Sequence, residues 1–166
     1  MCYFSNALQY PQITVNAICH SLNDPKFGRV DLIVGTGVSG LMVLTPVSML
    51  SGIPCGAVRK PIDANHDSLE GGSHSDSMVE TFIPPGHFVD RYVIIDDLTE
   101  SGSTIDRIIS TMRRSMNAEC NGVILYQNYI GDPKEFYRGI PVANLGDDIK
   151  TIANQNGSLH HGRDIS

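Results

Sequence analysis

The segment YVIIDDLTESGSTI (92–105) constrains the fold more than any other part of the chain. Its apolar and aromatic start predicts a buried strand, and Asp96 and Asp97 follow at the carboxyl end of that strand. Because burying an unpaired carboxylate is costly, both acids are expected to face a cleft, which is typical of a ligand site. The next segment, 103–116, has apolar residues at helical spacing on one face and predicts an amphipathic helix.

Strands and helices alternate along the rest of the chain. Strands are predicted at 29–35, 53–60, 79–83, 91–96, 122–127 and 140–145, and helices at 13–22, 39–52, 103–116 and 147–155. This alternation predicts an α/β fold with a mostly parallel sheet. The length of 166 residues suits one domain, and no repeat or linker divides it. Ligands of such sheets bind outside the carboxyl ends of the strands, so the loops at 35–40, 59 onward and 96–104 are expected on one rim.

Composition excludes several classes of protein. The formal net charge of -6 argues against a nucleic-acid or membrane partner, for which a basic face is expected. No window approaches the ~20 apolar residues of a membrane span, and the first residues do not have the pattern of a signal peptide. The four cysteines, Cys2, Cys19, Cys55 and Cys120, lie far apart, which favours reduced thiols over a metal or redox site. A soluble, cytoplasmic protein is expected.

The loop TESGST (99–104) has the composition of an anion site. Gly102 lets the backbone approach a ligand closely, and the helix that follows offers free N–H groups and the positive end of its dipole. Ser101, Ser103 and Thr104 add hydroxyl donors, although Ser and Thr are also preferred helix caps. The two acids just before the loop favour a ribose 5-phosphate, with the carboxylates on the sugar hydroxyls and the loop on the phosphate.

A second loop, GTGVSG (35–40), has the GxGxxG spacing of a dinucleotide-binding fingerprint between a strand and a helix. That fingerprint requires an acid about twenty residues later, where this chain has Arg59 and Lys60. An NADP-binding oxidoreductase domain is therefore an alternative, but it leaves the loop at 100–104 unexplained. Two cations facing two phosphate loops favour a polyanion such as pyrophosphate. The GxxxxGK[ST] motif of ATP-hydrolysing P-loops is absent.

These motifs together resemble a known family. VIIDDLTESGST (93–104) resembles the phosphoribosyl diphosphate (PRPP) binding motif of the type I phosphoribosyltransferases. IVGTGVSG (33–40) is similar to the family's pyrophosphate loop, and GIPCGAVRK (52–60) to its second strand with a basic end. The resemblance implies a single domain over 1–166, with a Rossmann-like core of five parallel strands (about 29–146) and a small hood from 1–28, 127–166 or both.

The resemblance also implies an activity, which is displacement of pyrophosphate from C1 of PRPP by a nitrogen of a purine or orotate-like base. Asp96 and Asp97 would be catalytic and hold the ribose hydroxyls, directly or through Mg²⁺. A homodimer and a place in purine salvage are further implications, and a regulator that keeps the PRPP site without catalysis is the alternative. The residues implied in PRPP binding are Thr36, Gly37, Val38, Ser39, Gly40, Arg59, Lys60, Asp96, Asp97, Leu98, Thr99, Glu100, Ser101, Gly102, Ser103 and Thr104.

The acceptor base and the proton-transfer groups stay open. Glu100 is a candidate general acid/base, or an acid merely favoured by a helix dipole. The segment 61–78 fits the family's mobile catalytic loop but lacks the lysines of orotate enzymes, which leaves His66 or His74 as donors, or as solvated loop residues. A weak base-pocket hypothesis names three residues after a strand, which an ordinary strand end also explains: Tyr126, Gln127 and Asn128.

Overall fold

The computed structural model describes residues 5–59, 79–97, 101–127 and 135–160. Helices and strands alternate along most of these residues, which confirms the predicted α/β class. Five α-helices lie in this part of the chain: α1 (Ser5–Gln9), α2 (Pro11–Ser21), α3 (Gly37–Ser51), α4 (Ser103–Met116) and α5 (Gly146–His160); a short 3-10 helix spans Pro25–Phe27. The strands of the same residues are β1 (Leu32–Gly35), β2 (Cys55–Val58), β3 (Val79–Thr81), β4 (Arg91–Asp96), β5 (Glu119–Leu125), β6 (Phe136–Tyr137) and β7 (Ile140–Asn144).

The described strands form one sheet in the order β3-β2-β1-β4-β5-β7-β6. The five strands from β2 to β7 in this order are parallel, as the family resemblance implies, and β3 and β6 are antiparallel edge strands. β4 lies between β1 and β5, with Ile94 paired to Val34 on one side and to Val123 on the other. The acids that follow β4 therefore lie near the middle of the carboxyl edge of the sheet.

The sheet separates two apolar layers because side chains alternate between its faces. Ile33, Val93, Ile95 and Ile124 face the layer of α1, α2, α3 and α5, which also contains Ile18, Phe27 and Leu44. Leu32, Val34, Ile94 and Val123 face α4, whose buried stripe includes Ile105, Ile108 and Met112. This stripe confirms the amphipathic helix predicted at 103–116.

Helix α2 and helix α1 belong to the first of these layers. α2 packs against α3 and α5, and α1 packs against α2 and α5. In the residues that the structure describes, the N-terminal segment thus shares the main core, and a separate hood with the bounds given above stays a prediction. None of the described helices has both the length and the apolar character needed to cross a membrane.

Among the α-helices and strands, α1 and β6 were not predicted from the sequence. Helix α1 has only five residues and strand β6 has two, which is too few for a hydrophobic period to be recognised. β6 exists because a two-residue turn, Arg138–Gly139, reverses the chain into β7, with Tyr137 paired to Ile140. Both turn residues have positive φ, at 51° and 83°, which is typical of the type I′ turn that matches the twist of paired strands.

Candidate active site

The acid pair lies at the end of β4, as predicted. The Asp96 side chain is buried, with 4% of its surface exposed, and its Oδ1 accepts the Asp97 backbone N–H at 3.0 Å. Asp97 is half-buried at the carboxyl edge. Its backbone carbonyl accepts the N–H of Gln127 at 2.9 Å, which fixes the segment after β4 against the end of β5. The two carboxyl groups thus differ in solvent access.

Burial changes the protonation of Asp96. Burial, followed by the hydrogen bond and negative charge of Asp97, raises the pKa of Asp96 to about 8. A hydrogen bond with the side chain of Ser39 opposes this increase in the pKa. Burial therefore favours the protonated form of Asp96 in the free protein. The loop GTGVSG also packs against the end of β4, since a Cβ on Gly40 would lie 3.5 Å from the Ile95 carbonyl oxygen.

Asp96→Asn is expected to make stability less sensitive to alkaline pH. Below pH 3.8, Asp96 is protonated in both the folded and the unfolded chain. Between pH 3.8 and about pH 8, Asp96 loses its proton in the unfolded chain but keeps it in the folded chain. The free energy of unfolding therefore falls as the pH rises through this range. From about pH 5.5 to about pH 8.5, the wild type should lose about 2–3 kcal/mol more than the variant. Urea unfolding in Mg²⁺-free buffer measures this. Equal losses in both proteins would show that Asp96 is ionised in the folded chain.

The glycines of GTGVSG have separate structural reasons. A Cβ on Gly35 would lie 3.0 Å from the Ile95 carbonyl oxygen and 3.2 Å from the Gly40 Cα. Gly35 and Gly40 therefore allow α3 to approach the sheet closely, whereas Gly37 has φ +65° and open space around it. Thr36 donates its hydroxyl hydrogen bond to the Val58 carbonyl at 2.6 Å, which ties this loop to the end of β2. The backbone from Gly37 to Ser39 is the part of this loop that remains accessible to a ligand, and the Val38 side chain is 69% exposed.

The predicted phosphate loop around Gly102 leads directly into α4. Gly102 is the N-cap residue, with φ +77°, and has no side chain with which to cap the helix. The Ser101 hydroxyl instead accepts the N–H of Ser103 at 3.3 Å and lies 3.0 Å from the Ser103 hydroxyl. Ser101 and Ser103 are exposed and Thr104 is half-buried, so a cluster of hydroxyl groups surrounds the positive end of α4.

The predicted cation Arg59 follows β2 on the same edge of the sheet. Its Nη1 lies 2.7 Å from Glu80 Oε1, and both side chains are more than half exposed. An exposed pair of this kind contributes little stability, so Arg59 can exchange Glu80 for a bound anion at small cost. Seven further predicted site residues lie outside the described residues: Lys60, His66, His74, Leu98, Thr99, Glu100 and Asn128.

Two of the predicted base-pocket residues have internal partners. Tyr126 is fully buried, and its hydroxyl donates to the Ser39 carbonyl at 2.8 Å. Gln127 Oε1 accepts the backbone N–H of Asn6 at 3.1 Å. Asn6 is itself buried and donates to the Tyr126 carbonyl at 2.9 Å. Tyr126 therefore supports the GTGVSG loop through its hydrogen bond to Ser39. Asn6 lies at the same edge of the sheet, and no sequence pattern indicated it.

The acid pair suits a magnesium ion that takes most of its coordinating oxygens from a bound phosphate compound and from water. Among the described residues, no three His, Cys, Asp or Glu side chains are placed to hold a metal, and Cys19, Cys55 and Cys120 are free thiols. Asp96 and Asp97 offer the hard oxygen donors that Mg²⁺ prefers, and this ion commonly takes its remaining ligands from phosphates and water. The donor set thus suits Mg²⁺ bound together with a polyphosphate.

Comparison with known proteins shows that the sequence of this chain is similar to those of two phosphoribosyltransferases. The chain is 30% identical over 122 residues to the adenine phosphoribosyltransferase of Aeromonas salmonicida, covering 68% of this chain and 65% of that protein. It is 25% identical over 148 residues to the hypoxanthine/guanine phosphoribosyltransferase of Methanohalobium evestigatum, covering 89% and 76%. The chain thus spans slightly less than two thirds of the Aeromonas relative. No protein-family model matches the chain.

The fold is similar to that of another solved phosphoribosyltransferase. The structure of orotate phosphoribosyltransferase from Aeropyrum pernix superposes with a TM-score of 0.60 at 19% identity, covering 93% of this chain and 80% of that one. This likeness concerns the fold, whereas the likeness to the adenine and hypoxanthine/guanine enzymes is one of sequence. The chain is thus similar in sequence to adenine and hypoxanthine/guanine phosphoribosyltransferases and similar in fold to an orotate phosphoribosyltransferase.

Proposed function

We propose that this protein transfers the 5-phosphoribosyl group of PRPP to a nucleobase and releases pyrophosphate. The observation that carries the proposal is the close packing of the GTGVSG loop against the end of β4, where a Cβ on Gly35 would lie 3.0 Å from the carbonyl oxygen of Ile95, the residue before the acid pair. Gly102, at the start of α4, lies in the loop that follows this pair. A single PRPP molecule has a phosphate, a ribose and a pyrophosphate in that order, and the three groups of residues suit the three parts.

Each part of PRPP has its own proposed partners. Ser101, Ser103 and Thr104, with the backbone at the start of α4, hold the 5-phosphate through hydroxyl and N–H donors. Asp96 and Asp97 accept hydrogen bonds from the ribose hydroxyls. The backbone of 36–40 and the Arg59 guanidinium face the pyrophosphate. Leu98, Thr99, Glu100 and Lys60 complete this PRPP site in the proposal.

The chemistry follows from these positions. A base nitrogen attacks C1 of the ribose, the bond between C1 and the pyrophosphate oxygen breaks, and the electron pair leaves with the pyrophosphate. Positive charge develops on the sugar in the transition state, and the negative charge of Asp97 stabilises it. Bound Mg²⁺ would neutralise part of the pyrophosphate charge. Glu100 is proposed to accept the proton that the base loses, and His66 to assist the leaving group.

A purine is the proposed acceptor, with an orotate-like base as the alternative. The sequence relatives named above are an adenine and a hypoxanthine/guanine phosphoribosyltransferase, which supports a place in purine salvage. Gln127 and Asn128 are the proposed contacts of the base. An orotate-like base is favoured only by the fold comparison.

The proposal extends to the assembly and location of the protein. Helix α3 is apolar nearly all round, yet Val38, Leu41, Met49 and Leu50 are between 47% and 80% exposed. An apolar surface of this kind on one helix supports a homodimer, because contiguous exposed apolar patches mark protein contacts. The acidic composition supports the absence of nucleic-acid and membrane partners in a cytoplasmic protein.

Pyrophosphate release from PRPP and Mg²⁺ tests the proposal, with adenine, hypoxanthine, guanine, orotate and a pyridine base each offered separately. Release with one base would establish the reaction and identify the acceptor. Tight PRPP binding without release for any base would favour a regulator of the same fold. Binding of NADP in place of PRPP would support the oxidoreductase alternative.

A further inference from the structure

The hairpin of β6 and β7 lies against the start of α4, which the proposed function assigns to the 5-phosphate. The contact involves two consecutive residues at the turn, Tyr137 and Arg138, and two positions of the phosphate loop and helix, Gly102 and Asp106. These positions are about 35 residues apart in sequence, and the hydrogen bond between Tyr137 and Gly102 spans that distance. The hairpin is therefore a tertiary support for the loop.

Tyr137 occupies the space that a side chain at position 102 would need. A Cβ on Gly102 would lie 2.3 Å from the Tyr137 hydroxyl oxygen and 2.4 Å from its Cε2. The same hydroxyl donates to the Gly102 carbonyl at 3.2 Å, and that carbonyl also accepts the N–H of Asp106 at 2.9 Å. Gly102 is in the left-handed conformation that turns the loop into α4. Tyr137 thus holds the residue on which the loop geometry depends.

Arg138 acts on the charge of the same region. Asp106 lies in the first turn of α4, and its carboxylate pairs with Arg138 Nη2 at 2.9 Å. The Asp106 side chain is 38% exposed, so its charge is partly shielded from water. An unpaired carboxylate there would repel a phosphate bound at the helix N-terminus. The guanidinium also lies 5.6 Å from the centre of the Tyr137 ring, which joins both residues into one cluster.

We propose that Tyr137 and Arg138 are positioning residues for 5-phosphate binding: Tyr137 fixes the Gly102 turn, and Arg138 neutralises Asp106. This inference rests on the proposed function and adds two residues that the PRPP-binding motif does not contain. Neither residue touches the reacting atoms. Their effect is expected on the affinity for the phosphorylated sugar and not on the base.

Arg138→Asn is the first variant, because Asn followed by Gly139 is the preferred pair for a type I′ turn and should preserve the hairpin. Calorimetric titration with ribose 5-phosphate is expected to show affinity weakened about two- to fivefold, the range for a charge near a helix terminus. Adding Asp106→Asn should restore the affinity, since the unpaired carboxylate is then absent. Tyr137→Phe should weaken the affinity about threefold, as expected for one lost hydrogen bond.

Arg114→Gln is the charge control, because it removes an exposed cation from the opposite end of α4. Its affinity for ribose 5-phosphate should match that of the wild type. Restoration in the double variant, with an unchanged KM for the base, would support the inference. Wild-type affinity in Arg138→Asn and Tyr137→Phe, or a loss that Asp106→Asn does not restore, would overturn it.

Pyrophosphate release by the wild type is measured in parallel and tests the proposed reaction separately. A wild type that binds ribose 5-phosphate but releases no pyrophosphate would contradict the reaction, while the variant series would still decide the role of the hairpin. A wild type that does not bind ribose 5-phosphate would overturn the hairpin inference itself.

Discussion

Replacing Asp97 by Asn is expected to lower the rate of PRPP turnover about 100- to 1000-fold, as when an enzyme loses one group that stabilises transition-state charge. Asp97 is half-buried beside the buried Asp96, so its carboxyl group is the one of the pair that a bound ligand can reach more easily. Asparagine preserves the size and polarity of the side chain and removes only the charge. Steady-state pyrophosphate release, with saturating base and Mg²⁺, measures the effect.

The matched control is Asp90→Asn. Asp90 precedes β4 at the opposite, amino end of the same strand, and its side chain is 74% exposed. The control should keep the wild-type rate, and both variants should unfold near the wild-type temperature. A near-native rate in Asp97→Asn would contradict the electrostatic role assigned to this carboxylate.

Replacing Gly102 by Ala is expected to destabilise the protein by about 2–4 kcal/mol and to abolish tight PRPP binding. Two effects add here. An L-residue at φ +77° is strained, and the new Cβ would overlap the Tyr137 ring, which must move away and lose its hydrogen bond to the Gly102 carbonyl. Chemical denaturation gives the free energy of unfolding, and calorimetry with PRPP gives the affinity.

Gly52→Ala separates the two effects. Gly52 has φ +73°, close to the value at Gly102, but a Cβ there would meet no atom within 4 Å. This control should lose only the strain energy, about 1–2 kcal/mol, and keep the affinity for PRPP. In Gly102→Ala/Tyr137→Ala the overlap is removed, so part of the stability should return. Equal losses of stability in Gly102→Ala and Gly52→Ala would show that overlap with the Tyr137 ring adds no cost to the Gly102 substitution.

Local pattern was sufficient for much of the fold. The helical spacing at 103–116 and the apolar run before Asp96 are properties of consecutive residues, and α4 and β4 formed where predicted. The boundaries shifted where local pattern is weak: β5 begins at Glu119, earlier than the predicted strand at 122, because Arg91 and Tyr92 of β4 pair with its first residues. β6 depends on a turn conformation and a partner strand, and two residues carry no periodic signal.

The candidate site also combines features that local sequence indicates with features that depend on packing. Adjacent motifs indicated the acid pair, the two glycine loops and the basic strand end from sequence alone, since each is a short run with a recognisable chemistry. Sequence reasoning gave the GTGVSG glycines a ligand role, whereas packing shows that Gly35 and Gly40 serve the contact between β1 and α3. Burial of Tyr126, with its hydroxyl on Ser39, likewise depends on which strand end meets which loop.

The sequence by itself determined the α/β class, the order in which the motifs follow the strands along the chain, and the residues expected to bind a phosphorylated sugar. Those follow from the side-chain period, from turn chemistry and from charge, all of which are encoded locally. Only the tertiary structure decided that Asp96 is buried while Asp97 is half-buried, and that Asn6, Tyr137 and Arg138 contact the residues around the site. Solvent access and long-range contacts arise when distant segments pack, and no local pattern contains that information.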